Sequence, residues 1–181
     1  MKTFKSLSRS VLPLFALALG IAICTMATAQ QHSNKFRVGV YDSRAVAVAW
    51  ANSSEFKEAM KPVEAEIKKA REAKDEKRVK EIKEQMKLRQ LRQHEQGFST
   101  GSVIPIMEKV KDRLPDIAKQ SGVQIVVSKW ELNHQSPEVE VVDVTDKIVA
   151  LFDVNERGLK WCKDIQSKKP LPMEQITGHM D

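Results

Sequence analysis

The chain has 181 residues, 30% of them charged, and a formal net charge of +6. That length suits one domain with a modest core, and the charge leaves nucleic acid, membrane surfaces and acidic proteins as partners to be weighed. Two cysteines and four scattered histidines without ligand spacing exclude a disulfide framework and a structural zinc site.

The chain opens with Lys2, Lys5 and Arg9, then an apolar run over residues 11–26, then Ala27-Thr28-Ala29. A positive start, an apolar stretch and a small-x-small ending predict a secretory signal peptide over residues 1–29, cleaved after Ala29. The run is short for a membrane span and contains Pro13. Ile23 stands before Cys24, where a lipoprotein would carry a small residue. Cleavage leaves 152 residues and lowers the net charge to +3, because three bases and no acid are lost.

Residues 36–41 alternate: Phe36, Val38 and Val40 on one face, Arg37, Gly39 and Tyr41 on the other. That predicts a strand. Asp42 and Ser43 then offer caps to a small apolar segment, 45–51, read as a helix with a strand as the alternative. After Asn52-Ser53-Ser54, the residues Phe56, Met60, Val63, Ile67 and Ala70 recur at coiled-coil spacing. Pro62 lies inside that stripe and predicts a kink or a late start. A weaker stripe, Val79, Ile82 and Met86, resumes out of phase. Two readings stay open: a helical hairpin with its tip near residues 74–76, which we favour, or one helix of about 40 residues.

Gly97 to Ser102 reads as a hinge or bulge; it lacks the Lys-Ser/Thr ending of a phosphate loop. A helical stripe follows from Val103 to Ala118, with Pro105 in its first turn, Pro115 bending it and Gly122 as C-cap. Residues 123–128 predict a short strand. A polar turn at 133–137 leads to a second strand at 138–144, with Val139, Val141 and Asp143 on one face. Thr145 is the expected N-cap of a last helix containing Ile148, Val149, Leu151 and Phe152. Residues beyond 155 read as a tail. Asp143 and Asp146 have no His or cleft partner and read as strand-end and cap residues. Trp50, Trp130 and Trp161 read as packing aromatics. Cys162, the one cysteine left after cleavage, is either buried and inert or exposed and paired between chains.

Charge is unevenly spread. Lys77, Arg78, Lys80, Lys83, Lys87, Arg89 and Arg92 crowd one helical stretch against two acids, whereas residues 123–154 carry six acids and two bases. The basic run is either a binding surface or a solvated helix face. Nucleic acid is a poor partner for an exported chain, and no aromatic platform accompanies the bases. The stripe of Phe56, Met60, Val63 and Ile67 either zips the hairpin or touches a partner. No nucleophile or metalloprotease motif occurs, and the chain reads as a non-enzyme without cofactor. The fold class expected is α+β: a small β-sheet base from residues 36–53 and 122–154, a projecting helical arm over 54–121, and a tail over 155–181.

The two ends of this domain are Arg37-Val-Gly-Val-Tyr-Asp-Ser43 and Gln124-Ile-Val-Val-Ser128, the latter followed by Val141-Val-Asp-Val-Thr-Asp-Lys-Ile-Val149. In this order they resemble the Skp (OmpH) family of periplasmic chaperones, over residues 36–152. The resemblance implies a periplasmic homotrimer held by its base sheets, with coiled-coil arms that hold unfolded outer-membrane proteins without ATP. The basic arm residues would attract acidic unfolded clients and anionic lipid surfaces. The alternative is an oligomeric envelope adaptor that grips a folded partner or the membrane surface.

Overall fold

In the computed structural model, residues 35–177 are described; the expected signal peptide lies outside them. Strand β1 (Arg37–Tyr41) forms where the alternation predicts it. Asp42 caps helix α1 (Ser43–Asn52) by accepting from the Arg44 N–H at 3.0 Å. Ser53 then caps α2 (Ser54–Glu72), its Oγ accepting from Phe56 N–H at 3.1 Å. Helix α2 runs unbroken through exposed Pro62 and begins at once rather than late. Helix α3 (Glu76–Phe98) returns antiparallel along α2, so the hairpin reading holds.

Helix α3 continues through Gly97, and the break begins only at Ser99. Gly97 is buried where α3 lies on α1, and a Cβ there would stand in ordinary contact, 3.7 Å from Val48 Cγ2. The stripe after Val103 is three short pieces: α4 (Ile104–Met107), a 3₁₀ turn (Lys111–Arg113) and α5 (Leu114–Ser121). Pro115 sits in the first turn of α5. A proline cannot continue a preceding helix, so the chain restarts there. Gly122 takes φ +62° and closes α5, as its C-cap position requires. These pieces are not arm: Val103, Ile106, Val110 and Ile117 are buried in the main core.

Strands β2 (Ile125–Ser128) and β3 (Glu140–Asp143) both pair with β1 in parallel, giving the order β2-β1-β3. The register sets Gly39 beside Val126 and Val142, and Val38 beside Ile125 and Val141. Gly39, Tyr41, Val126 and Val142 face the helices, where Tyr41 joins a core of Ala45, Val46, Ala49, Val144 and Ile148. The opposite face carries Phe36, Val38, Val40, Ile125, Val127 and Val141. There the central Val38 and Val40 are buried, whereas Phe36 is 49% and Ile125 45% exposed.

Helix α6 (Thr145–Val149) begins as expected, but Thr145 is not its cap. Asp143 Oδ1 accepts the Thr145 N–H at 2.8 Å, and Thr145 Oγ1 accepts from Asp42 N–H at 2.9 Å. The hydroxyl thus ties the end of β1 to the start of α6. Asp146 pairs with Lys163, which holds its carboxyl below the ordinary range.

The segment after residue 155 is not a tail. It forms α7 (Glu156–Gln166), capped by Asn155, and α8 (Met173–Thr177). Helix α7 lies along α1, and α8 rests against α3. A Cβ at Gly158 would run into Val154 Cγ1 and stand 3.0 Å from Asn52 Cβ, so the α1–α7 approach needs that glycine. Sequence reading missed this because α7 buries only Gly158, Cys162 and Ile165 at 3–4 residue spacing, among charges. Three such positions complete a core but do not announce one.

Cys162 is buried, which settles its fork in favour of the inert thiol. Burial pushes that thiol up to about 11. At neutral pH, roughly one thiol in ten thousand is ionised. Ellman's reagent is therefore expected to label the native chain very slowly and the denatured chain at once; prompt labelling of the native chain would contradict this packing.

Candidate functional site

The hairpin is set by local chemistry at three points. Ser53 starts α2. Asp75 starts α3 by accepting from Arg78 N–H at 2.9 Å. Between them Lys74 takes φ +54°, with Asp75 N–H donating to Ala70 O at 3.0 Å. The tip therefore turns without glycine, at a cost of roughly 1 kcal/mol for the left-handed lysine. Lys74→Gly is expected to stabilise the chain by up to about 1 kcal/mol, readable as a raised urea midpoint with unchanged slope. An unchanged or lowered midpoint would mean that the turn is held otherwise.

Within the hairpin Ala70 and Ile82 are buried, and Phe56, Met60, Val63 and Ile67 are half-buried. The stripe thus zips α2 to α3, with flanks open to solvent. Full burial of one isoleucine is worth about 1.5–3 kcal/mol, so Ile82 is the principal bolt of the outer half.

The seven basic residues divide by role. Arg78 donates from Nε to Glu66 at 2.9 Å and from Nη1 to Glu81 at 2.9 Å, so it pins α3 to α2. Arg89 reaches Met60 Sδ at 2.7 Å. Arg89 and Arg92 line a cleft of about 310 Å³ at the root, with Trp50, Phe56 and Lys109. Lys109 lies 4.4 Å from the Trp50 ring centroid and 3.1 Å from Glu55. Lys77, Lys80, Lys83 and Lys87 are exposed and form no ion pair among the described residues. Lys80 and Lys83 line a second cleft of about 530 Å³ near the tip, with Arg71 and Lys74. The hairpin therefore carries free positive charge along its outer length and spent charge at its pins.

Charge of a different kind lies at the carboxyl end of the sheet. Asp42 and Arg44 are both fully buried and joined Oδ2 to Nη2 at 2.8 Å. Asp42 also meets Lys129 Nζ at 2.7 Å and accepts from Trp130 Nε1 at 3.1 Å. Arg44 stacks 4.6 Å from the Trp130 ring centroid and donates to Lys168 O at 3.0 Å. Burial alone would push the Asp42 carboxyl up. The hydrogen bonds from Arg44, Lys129 and Trp130 outweigh it and hold the group below its ordinary range. Ligands often sit at this end of a parallel sheet, but both side chains are sealed from solvent, so the cluster is a structural bond. Asp42 was legible as a cap; its partners at 44, 129 and 130 were not, because two of them come from beyond β2.

Trp50 packs edge-on against Phe56 and Phe152, and Trp130 covers the ion pair, both as packing aromatics. Trp161 differs: it is 41% exposed and walls a groove of about 590 Å³ between α1, α3 and α7. Among the described residues no group of three His, Cys, Asp or Glu side chains has metal-holding geometry, and no helix is long and apolar enough to cross a membrane.

Fold and site together define a mixed α/β protein: a three-stranded parallel sheet packed with helices, and a two-helix hairpin with a basic flank. No family model, curated protein or solved structure matches the chain.

Proposed function

We propose that the chain is an ATP-independent periplasmic holdase of the Skp (OmpH) type, which binds unfolded outer-membrane and envelope proteins. The observation that carries this reading is the hairpin α2–α3. It has 19 and 23 helical residues, largely solvent-exposed, rooted on α1. At 1.5 Å per residue its helices reach about 28 and 34 Å, long enough to lie along an extended client. A surface that charged is not core, and its unpaired lysines give long-range attraction without a fixed partner geometry. The half-buried stripe offers weak apolar contact beside them. The reading assigns no catalysis and no cofactor.

The same reading makes the chain a homotrimer joined through its base. Two exposed apolar residues on the sheet face that carries Val38 and Val40 support that part. All-parallel sheets are ordinarily covered on both sides, and here Phe36 and Ile125 stand half out of the protein. Light scattering coupled to gel filtration measures the mass; a monomer at micromolar concentration would remove the trimer from the proposal.

The test of function is light scattering of a denatured outer-membrane β-barrel protein diluted into buffer, with and without the chain lacking residues 1–29. Suppressed aggregation that weakens with added salt is expected, because screening reaches about 8 Å at physiological ionic strength. No suppression at severalfold excess would favour the adaptor reading, in which the hairpin and base grip a folded partner or the membrane surface.

A further inference from the structure

The groove between α1, α3 and α7 exists only because residues beyond 155 fold back. Helix α7 lies along α1, and Leu171 N–H donates to Phe98 O at 2.8 Å. The space is about 590 Å³, within the usual range of ligand pockets. Its floor is Ala47 and Val48. Phe98 and Trp161 line its sides, each about two-fifths exposed, and His94 and Lys168 also border it. His94 stacks edge-on with Phe98 at 5.5 Å.

The groove and the lysines of the hairpin flank share one side of α3. At 100° per residue, Lys80, Lys83, Lys87, His94 and Phe98 fall within one narrow stripe of α3. The lysines end of that stripe is exposed and free of ion pairs among the described residues; the other end opens into the groove. From Lys80 to Phe98 the helix spans about 27 Å, the length of about eight extended residues.

We infer that this groove and stripe form one binding track for an extended polypeptide segment. A large aromatic or aliphatic side chain of the segment seats between Phe98 and Trp161, and acidic residues beside it lie along Lys87, Lys83 and Lys80. The occupant follows from charge and shape. The stripe is cationic, so the residues lying along it are acidic; the groove's floor is Ala47 and Val48 and its rim carries Asp164 as well as Lys168, so the anchor seated there is a neutral side chain. The inference rests on the holdase reading and adds where a client is gripped and which sequence feature is gripped first.

The test uses the chain lacking residues 1–29 and a fluorescent peptide of about ten residues. The peptide carries one benzophenone-alanine anchor followed by aspartates; a control carries asparagines instead. Photo-cross-linking to residues 93–98 or 161–168, mapped by mass spectrometry, is the expected result. Cross-links confined to the sheet face or the hairpin tip overturn the inference. In anisotropy titrations, Gly97→Met, which fills the groove, and the triple variant Lys80→Glu, Lys83→Glu, Lys87→Glu should each weaken the aspartate peptide about tenfold or more. The lysines are exposed, so the triple variant tests the track even where Gly97→Met fails to fold. Equal binding of the asparagine peptide, or unchanged affinity in the triple variant, overturns it. If the chain suppresses client aggregation yet the cross-links fall elsewhere, the track fails and the holdase reading stands. If cross-links fall in the groove yet aggregation is not suppressed, the track stands and the holdase reading fails.

Discussion

Removing residues 61–88 and joining Met60 to Arg89 through a short Gly-Ser linker is expected to abolish protection of a denatured β-barrel protein. The folded base should survive. The contact of Arg89 with Met60 shows that these positions face each other across the hairpin, so the cut is level. Outward of it, Ala70 and Ile82 are the buried residues, and the ion pairs among the described residues, Arg78 with Glu66 and Glu81 and Lys68 with Glu72, lie within the hairpin. Everything inward stays. Gln96, Gly97 and Ser99 remain buried at the root, α1 keeps α7, and the sheet loses no partner. Melting should therefore shift by only a few degrees while suppression of aggregation disappears. A shortened chain that protects as well as the intact one would sink the idea that the hairpin binds clients. One that no longer folds would show that the hairpin belongs to the core.

Asp42→Asn is expected to be the most destabilising conservative substitution in the base. It leaves the Arg44 guanidinium fully buried without its carboxylate, and strips Lys129 of its partner. Breaking a buried ion pair from one side costs about 3–5 kcal/mol. For a domain of this size that lowers the melting temperature by roughly 10 °C. The double variant Asp42→Asn with Arg44→Met should recover part of the loss, because it removes the buried charge as well as its partner. A double variant no better than the single one would assign the loss to packing instead.

The pair also predicts a pH dependence. The Asp42 carboxyl lies below its ordinary value in the folded chain. Its contribution is therefore complete above the unfolded carboxylate pKa of about 3.9 and is lost as the pH falls through the lowered folded value. Acid unfolding followed by circular dichroism should show a midpoint below pH 4 that moves upward in Asp42→Asn. An unmoved midpoint would place the acid-labile contact elsewhere, with Asp146–Lys163 as the other candidate.

Much of the fold was legible because local chemistry decides it. Strand β1 follows from alternation, the cap at Asp42 from a short polar side chain, and the end of α5 at Gly122 from left-handed backbone. The hairpin's zipper was legible from 3–4 residue spacing. Its tip was ambiguous because Lys74 adopts a conformation that composition does not signal. Of the candidate site residues, composition marked all seven bases alike. Only position distinguishes Arg78, spent on Glu66 and Glu81, from the free Lys80, Lys83 and Lys87.

Local sequence alone accounts for β1, the cap at Asp42, the concentration of charge in the hairpin and the apolar periodicity that pairs its helices. Each of these depends on residues within a turn or two of one another. Tertiary structure alone decided what distant segments do to each other. It made residues 156–166 part of the core, brought Lys129 and Trp130 onto Asp42 and Arg44, and shaped a groove between α3 and α7. The physical reason is that burial and ion pairing depend on which surfaces meet. Three apolar residues among charges, or one arginine after a strand, acquire their meaning only from the surface brought against them.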